Sequence, residues 1–124
     1  MNPTILLYNF NNEERTQAIE TLLDSVGCGT KRIEKNDYHH PIGYIFGLEE
    51  ISPSETLQTE TIDEEMIIIA GMNNQQINML LKILKANDIR IKYKAVLTPT
   101  NQYWDAVSLF NELKREHSEL HKEK

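Results

Sequence analysis

The sequence predicts an α/β fold: two β-α-β units forming a four-stranded sheet packed with helices, followed by a C-terminal helix. Three observations carry this. The apolar runs TILLYNF (4–10) and MIIIAG (66–71) lack the alternation of a half-exposed strand, so they read as strands buried on both faces. Each is followed at once by Asn-Asn and an amphipathic stretch, then by a more polar strand. Laying Ile5 on Ile67 sets ILLYNFNNEERTQAIETLL on IIIAGMNNQQINMLLKILK, strand on strand and Asn pair on Asn pair, the pattern of an internal repeat. The same order of elements also fits a ferredoxin-like α+β sheet, itself built from two β-α-β halves. In the α/β reading the strands run parallel or nearly so. The loops YNFNNEE, AGMNNQQ and LTPTNQYW then gather at the carboxyl ends of the strands, where open α/β sheets bind ligands.

The first helix follows from Ala18, Ile19, Leu22, Leu23 and Val26, which recur at helical spacing. Asn11 is expected to cap it with Glu14 reaching back, and Gly27 and Gly29 mark its end. TKRIEK (30–35) is a polar strand suited to a sheet edge. In NDYHHPIGYIFGLEE (36–50), Pro41 and Gly43 restrict any helix to one or two turns, with Ile42, Ile45, Phe46 and Leu48 toward the core. Residues 51–64, rich in Ser, Thr and Glu, read as a flexible loop.

The second helix has an apolar face of Ile77, Leu80, Leu81 and Leu84 with Ile83 beside it, and Asn73 and Gln76 form a capping box at its start. In IRIKYKAVLT (89–98), Ile89, Ile91, Tyr93, Ala95 and Leu97 alternate with Arg90, Lys92 and Lys94, as on a strand with one wet face. The last helix is expected from Gln102 onward, with a stripe of Trp104, Val107, Phe110 and Leu113. Its end, 114–124, is almost wholly polar.

With 124 residues and 40% hydrophobic content, the chain suits one domain spanning 1–124. A net charge of −6 repels phosphate backbones and argues against general nucleic-acid binding. The single cysteine, Cys28, excludes an internal disulfide and a four-cysteine zinc site. The start lacks a basic signal region, and no apolar stretch is long enough to span a bilayer. A cytoplasmic protein free of membrane is the expectation.

ILLYNF, IIIAGMNNQQINMLLKILK and KAVLTPTNQYWDAVSLFNELKREH together resemble the bacterial family described as domain of unknown function 3783. The residues that carry the resemblance are Lys94, Ala95, Thr98, Pro99, Thr100, Asn101, Trp104, Leu113, Glu116 and His117. It implies a strand–helix–strand order ending in a Thr-Pro-Thr-Asn corner and an acidic-basic helix, and no activity.

At that corner, Thr98, Thr100 and Asn101 offer hydroxyl and amide groups at a helix N-terminus, with Lys94 beside them. A carboxylate or phosphate could dock there. The bland reading uses the same residues as a proline turn, a helix cap and a tryptophan anchor packed on the sheet. Asn11 and Asn73 line the same site if the loops share an edge, and otherwise cap their helices. His117 and His121 lie one helical turn apart and would need a third ligand to hold a metal. Cys28 follows a helix C-terminus, the wrong end of the dipole for a nucleophile. No cofactor motif is present. The expected function is a non-catalytic binding or interaction module, acting on a protein partner or as a homo-oligomer. The alternative is a small anionic ligand-binding protein, or an enzyme, with its site at the strand ends.

Overall fold

A computed structural model describes residues 2–55 and 61–122, with side chains to residue 120. The strands are β1 (Thr4–Tyr8), β2 (Gly29–Ile33), β3 (Met66–Ala70) and β4 (Tyr93–Val96). The helices are α1 (Glu13–Ser25), α2 (Ile42–Ile45), α3 (Asn74–Ala86) and α4 (Ala106–Lys122), with short 3-10 turns at Lys35–Asp37 and Asn101–Tyr103. Part of the expected loop at 51–64, residues 56–60, lies outside the described residues.

The four strands form one mixed sheet in the order β2-β1-β3-β4. Each β-α-β unit is parallel within itself, β1 with β2 and β3 with β4, and the two units meet through an antiparallel β1–β3 ladder. At the centre of that ladder Leu6 pairs with Ile68, the two residues that the Ile5-on-Ile67 overlay superposes. The expectation of strands running parallel throughout is therefore corrected. The end of β1 and the loop 9–12 lie at one edge of the sheet. The ends of β3 and β4 lie at the other.

Alternation in the two central strands builds two cores. Ile5, Leu7, Ile67 and Ile69 face α1 and α3, where they meet Ile19, Leu23, Leu80 and Leu84. Leu6, Tyr8, Met66 and Ile68 face α2 and α4, where they meet Ile42, Ile45, Val107 and Phe110. Every residue of β3 is buried, as a strand covered on both faces requires.

Several local expectations change. Asn12, not Asn11, caps α1: its side chain accepts from the Arg15 N–H at 3.1 Å, and no box with Glu14 forms. Asn9 adopts a left-handed φ of 62°, which re-aims the chain one residue later than the Asn pair implies. Ala18 and Val26 are exposed, and Thr16 takes the buried place by bonding back to the Asn12 carbonyl. The Asn73–Gln76 box is present as expected. β4 begins only at Tyr93. Ile91 faces the α1/α3 core while Tyr93, Ala95 and Leu97 face the other, because a bend at Lys92 breaks the alternation. α4 begins at Ala106, not Gln102, because Asp105 supplies the cap, its carboxylate accepting from the Ser108 N–H at 2.7 Å.

Candidate functional site: the groove between β4 and α4

The corner after β4 is a self-satisfied turn. Thr98 and Asn101 each donate a backbone N–H to the other's side-chain oxygen, at 2.8 and 3.0 Å. Asn101 Nδ2 donates to the Val96 carbonyl at 3.0 Å, and the Gln102 N–H to the Thr98 carbonyl at 3.1 Å. Asn101 is thus a buried polar residue with its amide spent on the backbone around it. Thr100 is exposed and makes no capping bond.

α2 holds this corner from behind. Ile42 donates its N–H to the Trp104 carbonyl at 2.8 Å, and Ala106 donates to the Tyr38 carbonyl. Gly43 sits where a Cβ would meet the Gln102 carbonyl at 3.0 Å and Ile51 Cδ1 at 2.4 Å, so only glycine lets α2 approach the Asn101–Tyr103 turn so closely. The tight fit pins the turn. Trp104 does not pack on the sheet as expected. It is 37% exposed, with Tyr103 more exposed beside it.

Between the turn, the free edge of β4 and the first turns of α4 runs an open groove of about 400 Å³. Ala95, Val96, Thr98 and Asn101 form one wall, Leu109, Leu113 and Glu116 the other, with Trp104 and Thr100 at the mouth. Seven of the ten residues that carry the family resemblance line it; Lys94, Pro99 and His117 do not. The wall residues Val96, Leu109 and Glu112 were not among the expected site residues, because only the packing of α4 on β4 brings them to the corner.

The other expected site residues scatter. Asn73 is consumed by its capping box at the end of β3. Asn11 lies at the opposite edge of the sheet, its Nδ2 donating to Asn9 Oδ1 at 2.9 Å, because β1 runs against β3. Lys94 Nζ donates to the Ile91 carbonyl on the α3 side of β4. The corner opens on a three-residue 3-10 turn and not on a long helix, and the acidic Asp105 caps α4. His117 sits edge-on to Tyr93 at 6.0 Å between ring centroids, and the side chain of His121 lies outside the described residues. Among the described residues no three His, Cys, Asp or Glu side chains gather as a metal site. Cys28 is buried behind α1, and burial pushes its thiol pKa up, away from the thiolate a nucleophile needs.

Among the described residues no helix is long and apolar enough to cross a membrane. No curated protein and no solved structure matches the chain significantly. The family match covers β3, α3, β4, the Thr-Pro-Thr-Asn corner and α4 to Leu120. It leaves out β1, although ILLYNF belongs to the resemblance read from the sequence. The second β-α-β unit with its terminal helix, residues 65–120, matches the family described as Domain of unknown function (DUF3783).

Proposed function

We propose that this protein is a non-catalytic binding module that docks a protein partner in the groove between β4 and α4. One observation carries the reading: β4, the corner and α4 together line one open groove, from Ala95 to Glu116, beside a sheet edge. The polar groups of the corner support it. Thr98 and Asn101 shape the wall by bonding to each other, and Thr100 and the Trp104 ring stand exposed at the mouth. A half-exposed tryptophan next to aliphatic side chains is the kind of anchor around which protein interfaces form.

Photo-crosslinking in cells tests it. A benzophenone amino acid at Thr100, exposed at the groove mouth, is expected to give a discrete protein adduct, and the same probe at Ala18, exposed on α1, is expected to give none. Equal labelling from both positions, or none from Thr100, would remove the proposal.

The alternative is a small anionic ligand at the Thr-Pro-Thr-Asn corner. Phosphate and acetate titrated against the backbone amide resonances of Thr98 and Thr100 decide it. Saturable shifts confined to the corner would favour that reading.

A further inference from the structure

The open edge of β4 has two unlike flanks. β4 is a terminal strand of the sheet, and among the described residues no strand pairs with its outer side. The Leu97 N–H donates to the Ile69 carbonyl at 2.8 Å, so odd-numbered residues of β4 bond inward to β3. By alternation, the backbone groups of Lys94 and the N–H of Val96 point outward. The Val96 carbonyl is already taken by Asn101. On the α4 flank lies the groove with Leu109, Leu113 and Trp104.

On the α3 flank lies a second concavity of about 630 Å³, with Lys85, Arg90, Lys92 and Lys94 among its lining residues and Asp88 as the one carboxylate there. Asp88 pairs with Arg90 at 3.5 Å, both side chains being almost fully exposed. Lys92 Nζ lies over the Tyr93 ring, 5.4 Å from its centroid. The chain as a whole carries a net charge of −6, so this concentration of cations on one flank runs against the average of the surface. Lysines on an edge strand also disfavour pairing between two copies of that edge, because like charges would meet.

Resting on the proposed docking in the β4–α4 groove, we infer that the partner supplies an extended strand that adds to β4 and whose residues alternate acidic and apolar. Strand addition uses the outward backbone groups of Lys94 and Val96. Alternation then sends every second side chain to each flank. Apolar side chains enter the groove against Leu113 and Trp104. Acidic side chains meet Lys92, Lys94 and Arg90. Charge sets the choice of partner and the backbone bonds set its extended form.

Fluorescence anisotropy with three labelled hexapeptides tests this: Val-Glu-Val-Glu-Val-Glu, Val-Lys-Val-Lys-Val-Lys, and the acidic peptide N-methylated at alternate residues. The acidic peptide is expected to bind at least about tenfold more tightly than the basic one and to weaken with salt. N-methylation is expected to abolish binding. A Lys92→Glu, Lys94→Glu protein is expected to reverse the preference; both positions are exposed, and circular dichroism confirms that the fold is kept. If the acidic and basic peptides bind equally and Leu113→Asp abolishes both, the groove reading stands and the acidic partner is overturned. If none of the three peptides binds, the inference fails, and the crosslink from Thr100 judges the groove separately.

Discussion

Thr98 and Asn101 hold each other in place: each gives its backbone N–H to the other's side-chain oxygen, and Asn101 also ties back to the Val96 carbonyl. Asn101→Ala removes two of these three bonds outright and leaves a part-buried N–H and C=O without their partner. It is expected to cost about 2–3 kcal/mol of stability. Thr98→Val loses one bond and is expected to cost about 1 kcal/mol. Urea unfolding measures both; equal losses would mean that the turn is not organised around Asn101.

Gly27 and Asp88 close α1 and α3 in the same way. Each follows the helix cap in a left-handed conformation, with φ of 84° and 56°. In each case the next N–H reaches back five residues, Cys28 to the Leu23 carbonyl and Ile89 to the Leu84 carbonyl. Nothing lies within 4 Å of a Cβ placed on Gly27, so Gly27→Ala is expected to cost about 1 kcal/mol through φ alone. Asp88→Gly is expected to stabilise by about 0.5–1 kcal/mol, since the Asp88–Arg90 pair it removes is exposed and weak. Thermal unfolding of the two variants should therefore shift in opposite directions.

Tyr8 carries its hydroxyl into the core facing α2 and α4, and no described protein atom accepts or donates to it. Burial, with Tyr38 and Asp37 nearby, pushes its pKa far above the ordinary phenol range. Tyr8→Phe keeps the ring contact with Tyr38, at 5.4 Å between centroids, and removes only the unpaired hydroxyl. Stability is expected to stay level or rise by up to about 1 kcal/mol. A loss above that range would show that the hydroxyl is bonded in solution.

His40 joins the segment after α2 to the Lys35–Asp37 turn. Its Nδ1 accepts the Ser54 N–H at 3.2 Å, which requires the neutral ring, and its Nε2 lies 3.7 Å from Asp37. Burial and then the neighbouring His39 lower its pKa below the ordinary value, against the opposing pull of Asp37. A histidine with a depressed folded pKa favours the folded state when unprotonated. Its contribution is therefore present above the unfolded value of about 6.5 and is lost as pH falls through the folded value. Wild-type protein is expected to lose more stability between pH 7.5 and 5.5 than His40→Gln does, in paired denaturation curves. Parallel curves would assign the pH dependence to other groups.

Element types were largely legible, and arrangement was not. TILLY and MIIIA announce buried strands, and Asn73 with Gln76 announces a helix start, because each needs only its own neighbours. A strand buried on both faces reads alike whether its neighbour runs with it or against it, so the sequence left the β1–β3 direction open. Trp104 lies three residues before Val107 and matches a helical stripe. The α2 hydrogen bond to its carbonyl is tertiary and leaves no mark on that spacing. The residues of the Thr-Pro-Thr-Asn corner could be picked out, but the groove could not, since half its wall comes from α4.

The antiparallel seam at Leu6 and Ile68 gives the matched segment a particular liability. Residues 65–120 taken by themselves would present β3, apolar on both faces, as an unpaired border. Because Ile68 marks the midpoint of the ladder, a second copy turned about that residue could stand where β1 stands and complete a β4-β3-β3-β4 sheet. In this chain the first β-α-β unit fills that place from within, so the seam is closed by a covalently attached neighbour and does not depend on protein concentration.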